Sequence, residues 1–154
     1  MLKQLAIGAA LLLTACSGAA APNAPNLYQT WISLDGDSAA TGVTFRSDGT
    51  YTWIVLQQTG TTEFNEYLEI GSFITADDNI TFIPGEDTCS SPNPSSSATF
   101  NLTDVNTLNI SFSTGLIVFQ VDTSSPVTSG VQTTYGCYNV DGTFTPTHLM
   151  PVTP

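Results

Sequence analysis

The sequence predicts an all-β fold: a single antiparallel up-and-down barrel of about eight strands, set behind a cleaved signal peptide and a flexible tether. Three observations point to it. From residue 27 onward, short runs of β-branched and aromatic residues alternate with turn residues at regular spacing. No stretch shows helical periodicity, and no internal repeat is present. Only 10% of residues are charged, so Thr, Ser, Asn and Gly carry the polarity, which suits exposed strand faces. Closing such strands into a barrel removes edges that would otherwise pair with other chains.

The elements follow in order. Residues 28–34 form the first expected strand, ended by Asp35-Gly36-Asp37. Residues 41–46 follow, with Val43 and Phe45 on one face, and Asp48-Gly49 makes a tight hairpin turn. Its partner is 50–58, where Tyr51, Trp53 and Val55 share a face by period-two alternation. That face carries the larger aromatics and is expected to point inward. A long strand over 64–75 turns at Asp77-Asp78-Asn79 into 80–84. Residues 85–97, rich in Pro, Ser and Asn and carrying Cys89, read as a loop. A second hairpin joins 98–102 to 108–113 through Asp104-Val105-Asn106, and 116–121 follows Thr114-Gly115. After another loop, 131–140 carries Cys137, and Asp141-Gly142 makes a last small hairpin.

The N-terminus carries an address. Lys3 is a positive n-region, 5–13 is an apolar stretch, and Ala15 is the small residue that a peptidase requires. The apolar run is too short for the roughly 20 residues of a bilayer span. Leu13-Thr14-Ala15-Cys16 closes it and resembles the lipobox of bacterial lipoproteins. The resemblance implies removal of residues 1–15, lipid attachment at Cys16 and anchoring in the bacterial cell envelope. Ser17, rather than aspartate, follows the cysteine. In a Gram-negative host that implies the outer membrane, at its periplasmic face or the cell surface. Four segments are therefore expected: 1–15 signal peptide, 16–26 lipidated cysteine and tether, 27–146 barrel, 147–154 Pro-rich tail.

Within the barrel region a second resemblance emerges. Thr30-Trp31, then Val43-Thr44-Phe45 before Asp48-Gly49-Thr50-Tyr51, then Glu69-Ile70-Gly71-Ser72-Phe73 occur in order. Asn79-Ile80-Thr81-Phe82-Ile83-Pro84, Asp87-Thr88-Cys89 and Asn106-Thr107-Leu108 follow. Over roughly residues 28–113 this series resembles lipocalin-like (calycin-type) bacterial lipoproteins. The chain departs from the lipocalin pattern in two places. Gln29 stands where a glycine precedes the first-strand tryptophan, and no late strand carries the basic residue that packs on that tryptophan. The resemblance implies a barrel interior that either fills with its own side chains or encloses one small apolar ligand. Tyr51, Trp53, Phe73 and Phe82 are the candidate lining residues.

Charge narrows the partners. The signal peptide takes Lys3 with it, leaving Arg46 as the sole Lys or Arg against thirteen Asp and Glu. A surface this acidic is repelled by phosphate backbones, so nucleic-acid binding is not expected. It suits a cationic protein partner, which gives an alternative function: a structural, inhibitor or accessory module acting through acidic loops. Cys89 and Cys137 are an even pair in an exported protein and read as a disulfide, with two free thiols as the alternative.

Catalysis finds little support. His148 is the single histidine and lies in the Pro-rich tail, and no serine has a nucleophile-elbow context. Glu63, Glu66 and Glu69 offer paired carboxylates, but alternating Glu residues also mark a solvated strand face. Asp35-Gly36-Asp37 and Asp77-Asp78-Asn79 are hard oxygen clusters at turns, where such residues normally cap their own backbone. The expectation is a non-catalytic protein without cofactor or metal. An open cavity of about 300 Å³ or more would favour ligand binding over the interaction module.

Overall fold

The computed structural model describes residues 27–35, 39–89, 93–123 and 132–147, and among them there are ten strands and no helix. Strands β1 (Thr30–Asp35), β2 (Ala39–Phe45), β3 (Thr50–Gln58) and β4 (Glu63–Ala76) pair each with the next, antiparallel. β5 (Asn79–Asp87), β6 (Ser96–Asp104), β7 (Thr107–Phe112) and β8 (Gly115–Val121) continue the meander, and β8 pairs with β1 to close an eight-stranded barrel. The predicted all-β, up-and-down barrel is therefore the observed fold. The lipobox, residues 16–26, Asp37 and His148 lie outside the described residues.

The turns form as their residues dictate. Gly49 has φ +85° and Gly142 φ +82°, a backbone conformation that side chains with a Cβ resist. In both turns the preceding aspartate accepts from the following threonine: Asp48 Oδ1 from Thr50 N (2.9 Å) and Oγ1 (2.7 Å), Asp141 Oδ1 from Thr143 N (3.0 Å) and Oγ1 (2.7 Å). These bonds hold both carboxyls below the usual carboxylate range. Asp77 makes the β4–β5 turn in the left-handed region at φ 52°.

The core draws on all eight barrel strands. Leu27, Trp31, Val43, Phe45, Tyr51, Phe73, Ile80, Phe82, Leu108, Ile110 and Phe119 are buried together. Among the described residues the first-strand tryptophan has no basic partner. Its indole N–H donates instead to the Leu27 carbonyl at 3.0 Å, and Leu27 itself is buried in the core. Gly71 sits at the β4–β5 bulge because nothing larger fits: a Cβ there would strike the Ile83 carbonyl and come within 2.8 Å of the Tyr51 ring.

One element departs from the expected meander. β9 (Gln132–Tyr138) is no barrel strand but pairs in parallel with the first turns of β4, Glu63 to Glu66, and then hairpins into β10 (Phe144–Pro146). The reason is length. β4 has fourteen residues against nine in β5, and β5 accompanies only its second half, from Glu69 onward. The first half would present an open edge, and β9 covers it. A disulfide between Cys89 and Cys137 (Cα–Cα 5.0 Å) fastens the end of β5 to β9. Buried Thr88 stitches the same junction: its Oγ1 donates to the Gly136 carbonyl at 2.7 Å and accepts from Leu68 N at 3.1 Å.

Candidate functional site

A row of inward residues crosses five neighbouring strands. Cross-strand register aligns Trp31 with Val43, Val43 with Trp53, Trp53 with Glu69, and Glu69 with Asp87. At one end the row is plain core. At the other it turns acidic: Glu69 and Asp87 are each only 8% exposed and stand directly opposite one another. Like charges placed so are unfavourable in a sheet, and more so away from water.

The surroundings hold Glu69 in place. The Tyr51 hydroxyl donates to Oε1 and the Tyr67 hydroxyl to Oε2, both at 2.5 Å. Asn93 Nδ2 donates to Oε2 at 3.2 Å and to the Tyr67 hydroxyl at 2.6 Å. Asp87 positions that asparagine through its backbone: its carboxylate accepts from Cys89 N (2.8 Å) and Asn93 N (3.1 Å). All these donors are neutral, so they satisfy lone pairs without cancelling charge.

Beside this network the barrel opens into a cavity of about 340 Å³. Trp53, Tyr67, Glu69, Phe82, Asn93 and Phe112 line it, together with Pro84, Pro94 and Ser96. Three of its rings form one cluster: Trp53 lies edge-on to Phe82 (centroids 5.7 Å) and to Phe112 (6.0 Å), and Phe82 stacks on Phe112 (5.9 Å). Among the described residues no Lys, Arg or His lines the cavity.

Of the four candidate lining residues, the structure brings Trp53 and Phe82 to the cavity. Tyr51 and Phe73 point inward but lie in the filled part of the barrel, where Phe73 meets Phe45 at 4.9 Å. Tyr51 reaches the site only through its hydroxyl on Glu69. Among the three glutamates, Glu69 is inside, Glu63 is exposed, and Glu66 is three residues from Glu69, on the opposite face of β4, alongside Tyr135 of β9. Asp77 and Asp78 form a hairpin turn, and among the described residues no group of three His, Cys, Asp or Glu could hold a metal ion. No family model and no curated protein matches this chain. Tyr67, Asn93 and Phe112 were not singled out by sequence. Their signal lay in register: Tyr67 shares inward parity with Glu69, but only strand pairing reveals which parity faces in.

Burial pushes the Tyr51 and Tyr67 phenols far above their ordinary value near 10, and the hydrogen bond to Glu69 and the charges of Glu69 and Asp87 add to it. A folded value above the unfolded one means that the stabilisation is complete below about pH 10 and is lost as pH rises further. In an alkaline titration followed by phenolate absorbance, these two tyrosines are expected to ionise only as the barrel unfolds. Ionisation of all five tyrosines near pH 10 with the fold intact would contradict this network.

Proposed function

We propose that this chain is a lipid-anchored lipoprotein of the bacterial envelope whose lipocalin-like barrel binds a small ligand with an apolar body and does not transform it. One observation carries the ligand reading: the cavity of about 340 Å³ walled by Trp53, Phe82 and Phe112. Its volume lies within the range of small-molecule sites, and its apolar wall with a few convergent polar groups is their usual composition. That favours a binding role over a module acting through acidic loops alone. The anchor rests on Leu13-Thr14-Ala15-Cys16, and a diacylglycerol with an N-acyl chain buries dozens of methylenes at about 0.8 kcal/mol each.

Two measurements test the two halves. Titration with neutral N-phenyl-1-naphthylamine is expected to give saturable binding that quenches Trp53; a neutral probe avoids repulsion by the acidic surface. Trp53→Ala should alter that affinity while a cooperative melt persists. Trp53 is only part buried, so its truncation should cost less than the roughly 3–5 kcal/mol of a fully buried aromatic. No saturable binding up to the probe's solubility would refute the ligand reading. For the anchor, Cys16→Ser should move the protein from the detergent phase to the aqueous phase, or leave it unprocessed. A processed mutant that stays membrane-bound would refute it.

A further inference from the structure

We infer that the ligand is an organic cation: a positively charged nitrogen on a small apolar body, with Glu69 as its counter-ion and the Trp53–Phe82–Phe112 cluster as its wall. This deepens the ligand-binding reading and rests on it. The charge balance of the site is the starting point. Glu69 lines the cavity, and Asp87 stands opposite it one strand away, both 8% exposed. Lys3 and Arg46 are the only Lys and Arg in the whole chain. Arg46 lies in the β2–β3 turn, where it acts on Asp48. Among the described residues the site therefore holds buried acid with no cationic group of its own to set against it, an arrangement that a positive occupant relieves.

The detailed geometry agrees. A carboxylate has about four acceptor sites. Tyr67 and Asn93 occupy Oε2, while Oε1 carries one hydrogen bond, from Tyr51. Oε1 thus keeps capacity for an N–H donor, and a fully substituted ammonium needs only proximity. Trp53 is the immediate cross-strand neighbour of Glu69, so ring and carboxylate flank the same space. Aromatic faces attract cations through their quadrupole, tryptophan most strongly, and desolvation strengthens the effect. Calcium or magnesium fits poorly, because each requires six or more oxygens and this wall is made of rings. The acidic surface raises the concentration of any cation near the mouth.

The test compares benzyltrimethylammonium with neopentylbenzene, its neutral isostere, by calorimetry and tryptophan fluorescence on the folded mature chain. Both are expected to bind wild type saturably. In Glu69→Gln, which keeps the shape and can still hydrogen-bond both tyrosines, cation affinity should fall by about tenfold or more. Neopentylbenzene should bind the variant as well as wild type or better. Unchanged cation binding in Glu69→Gln overturns the inference. Neutral binding without cation binding in wild type overturns it too, and leaves the ligand reading standing. Binding of neither probe overturns both. If Glu69→Gln does not fold, Asp87→Asn takes its place with the same expected drop, and the wild-type pair still decides.

Discussion

Truncating Trp31 to alanine is expected to lower stability by about 3–5 kcal/mol, the largest single-residue loss in the barrel. The indole is fully buried, begins the inward row through Val43 and Trp53, and donates to the Leu27 carbonyl. Its removal leaves a void that the neighbouring strands cannot close without breaking register. In a domain of this size the melting temperature should fall by more than about 10 °C. Trp31→Phe separates packing from the hydrogen bond. It should recover most of the loss, because the Leu27 carbonyl keeps a second donor in Gln29 N at 2.9 Å. A chemical-denaturation loss under about 1 kcal/mol for the alanine variant would show that the indole is no keystone.

Cleaving the Cys89–Cys137 bond should cost about 2–5 kcal/mol, with about 4 kcal/mol from loop entropy for a separation of 48 residues. The loss should not be uniform. β9 touches β4 over four register pairs, Glu63↔Gln132 to Glu66↔Tyr135, and is held besides by the disulfide, by Thr88 Oγ1 on the Gly136 carbonyl and by Gln132 N on the Thr62 carbonyl. After reduction, amides in β9 and β10 should exchange with solvent well before those of β7 and β8. The loop that carries Asn93 begins at Cys89, so probe binding at the Trp53 cavity should weaken as well. Equal loss of protection across all strands would mean that β9 is an integral part of the barrel rather than a strap on it.

Much of the barrel was legible because its turns are chemically explicit. Asp48-Gly49-Thr50 and Asp141-Gly142-Thr143 each need a left-handed glycine and a capping carboxylate, and both are written out in the chain. Alternation around Tyr51 and Trp53 gave the inward face of β3. The cysteine pairing followed from an even count in a chain whose N-terminus reads as an export signal. The parallel contact of β9 was not legible, because alternation says that 131–140 is a strand but not which edge it will cover; the excess length of β4 over β5 decides that. Glu69 was hidden for a related reason. A glutamate in an alternating strand looks like a solvated face, and only closure of the barrel puts it indoors. Asn93 was one residue in a Pro/Ser-rich stretch, and only the fold shows its backbone N–H on the Asp87 carboxylate and its amide on Glu69.

Barrel closure also fixes how the molecule bears a pull. β1 meets β2 over six register pairs but β8 over two, Trp31 with Val121 and Ile32 with Gln120. Under the proposed lipid anchor at Cys16, drag on the domain arrives at Leu27 and passes into β1. The short β1–β8 seam then bears the greatest tension per hydrogen bond and tears first. The buried Leu27 and its bond to the Trp31 indole form a brace where the force enters. Should the seam part, the disulfide still holds residues 89 to 137 in a covalent ring that contains β6 to β8. The length of chain that the barrel can pay out is thereby capped, and the slack strands stay close enough to recoil.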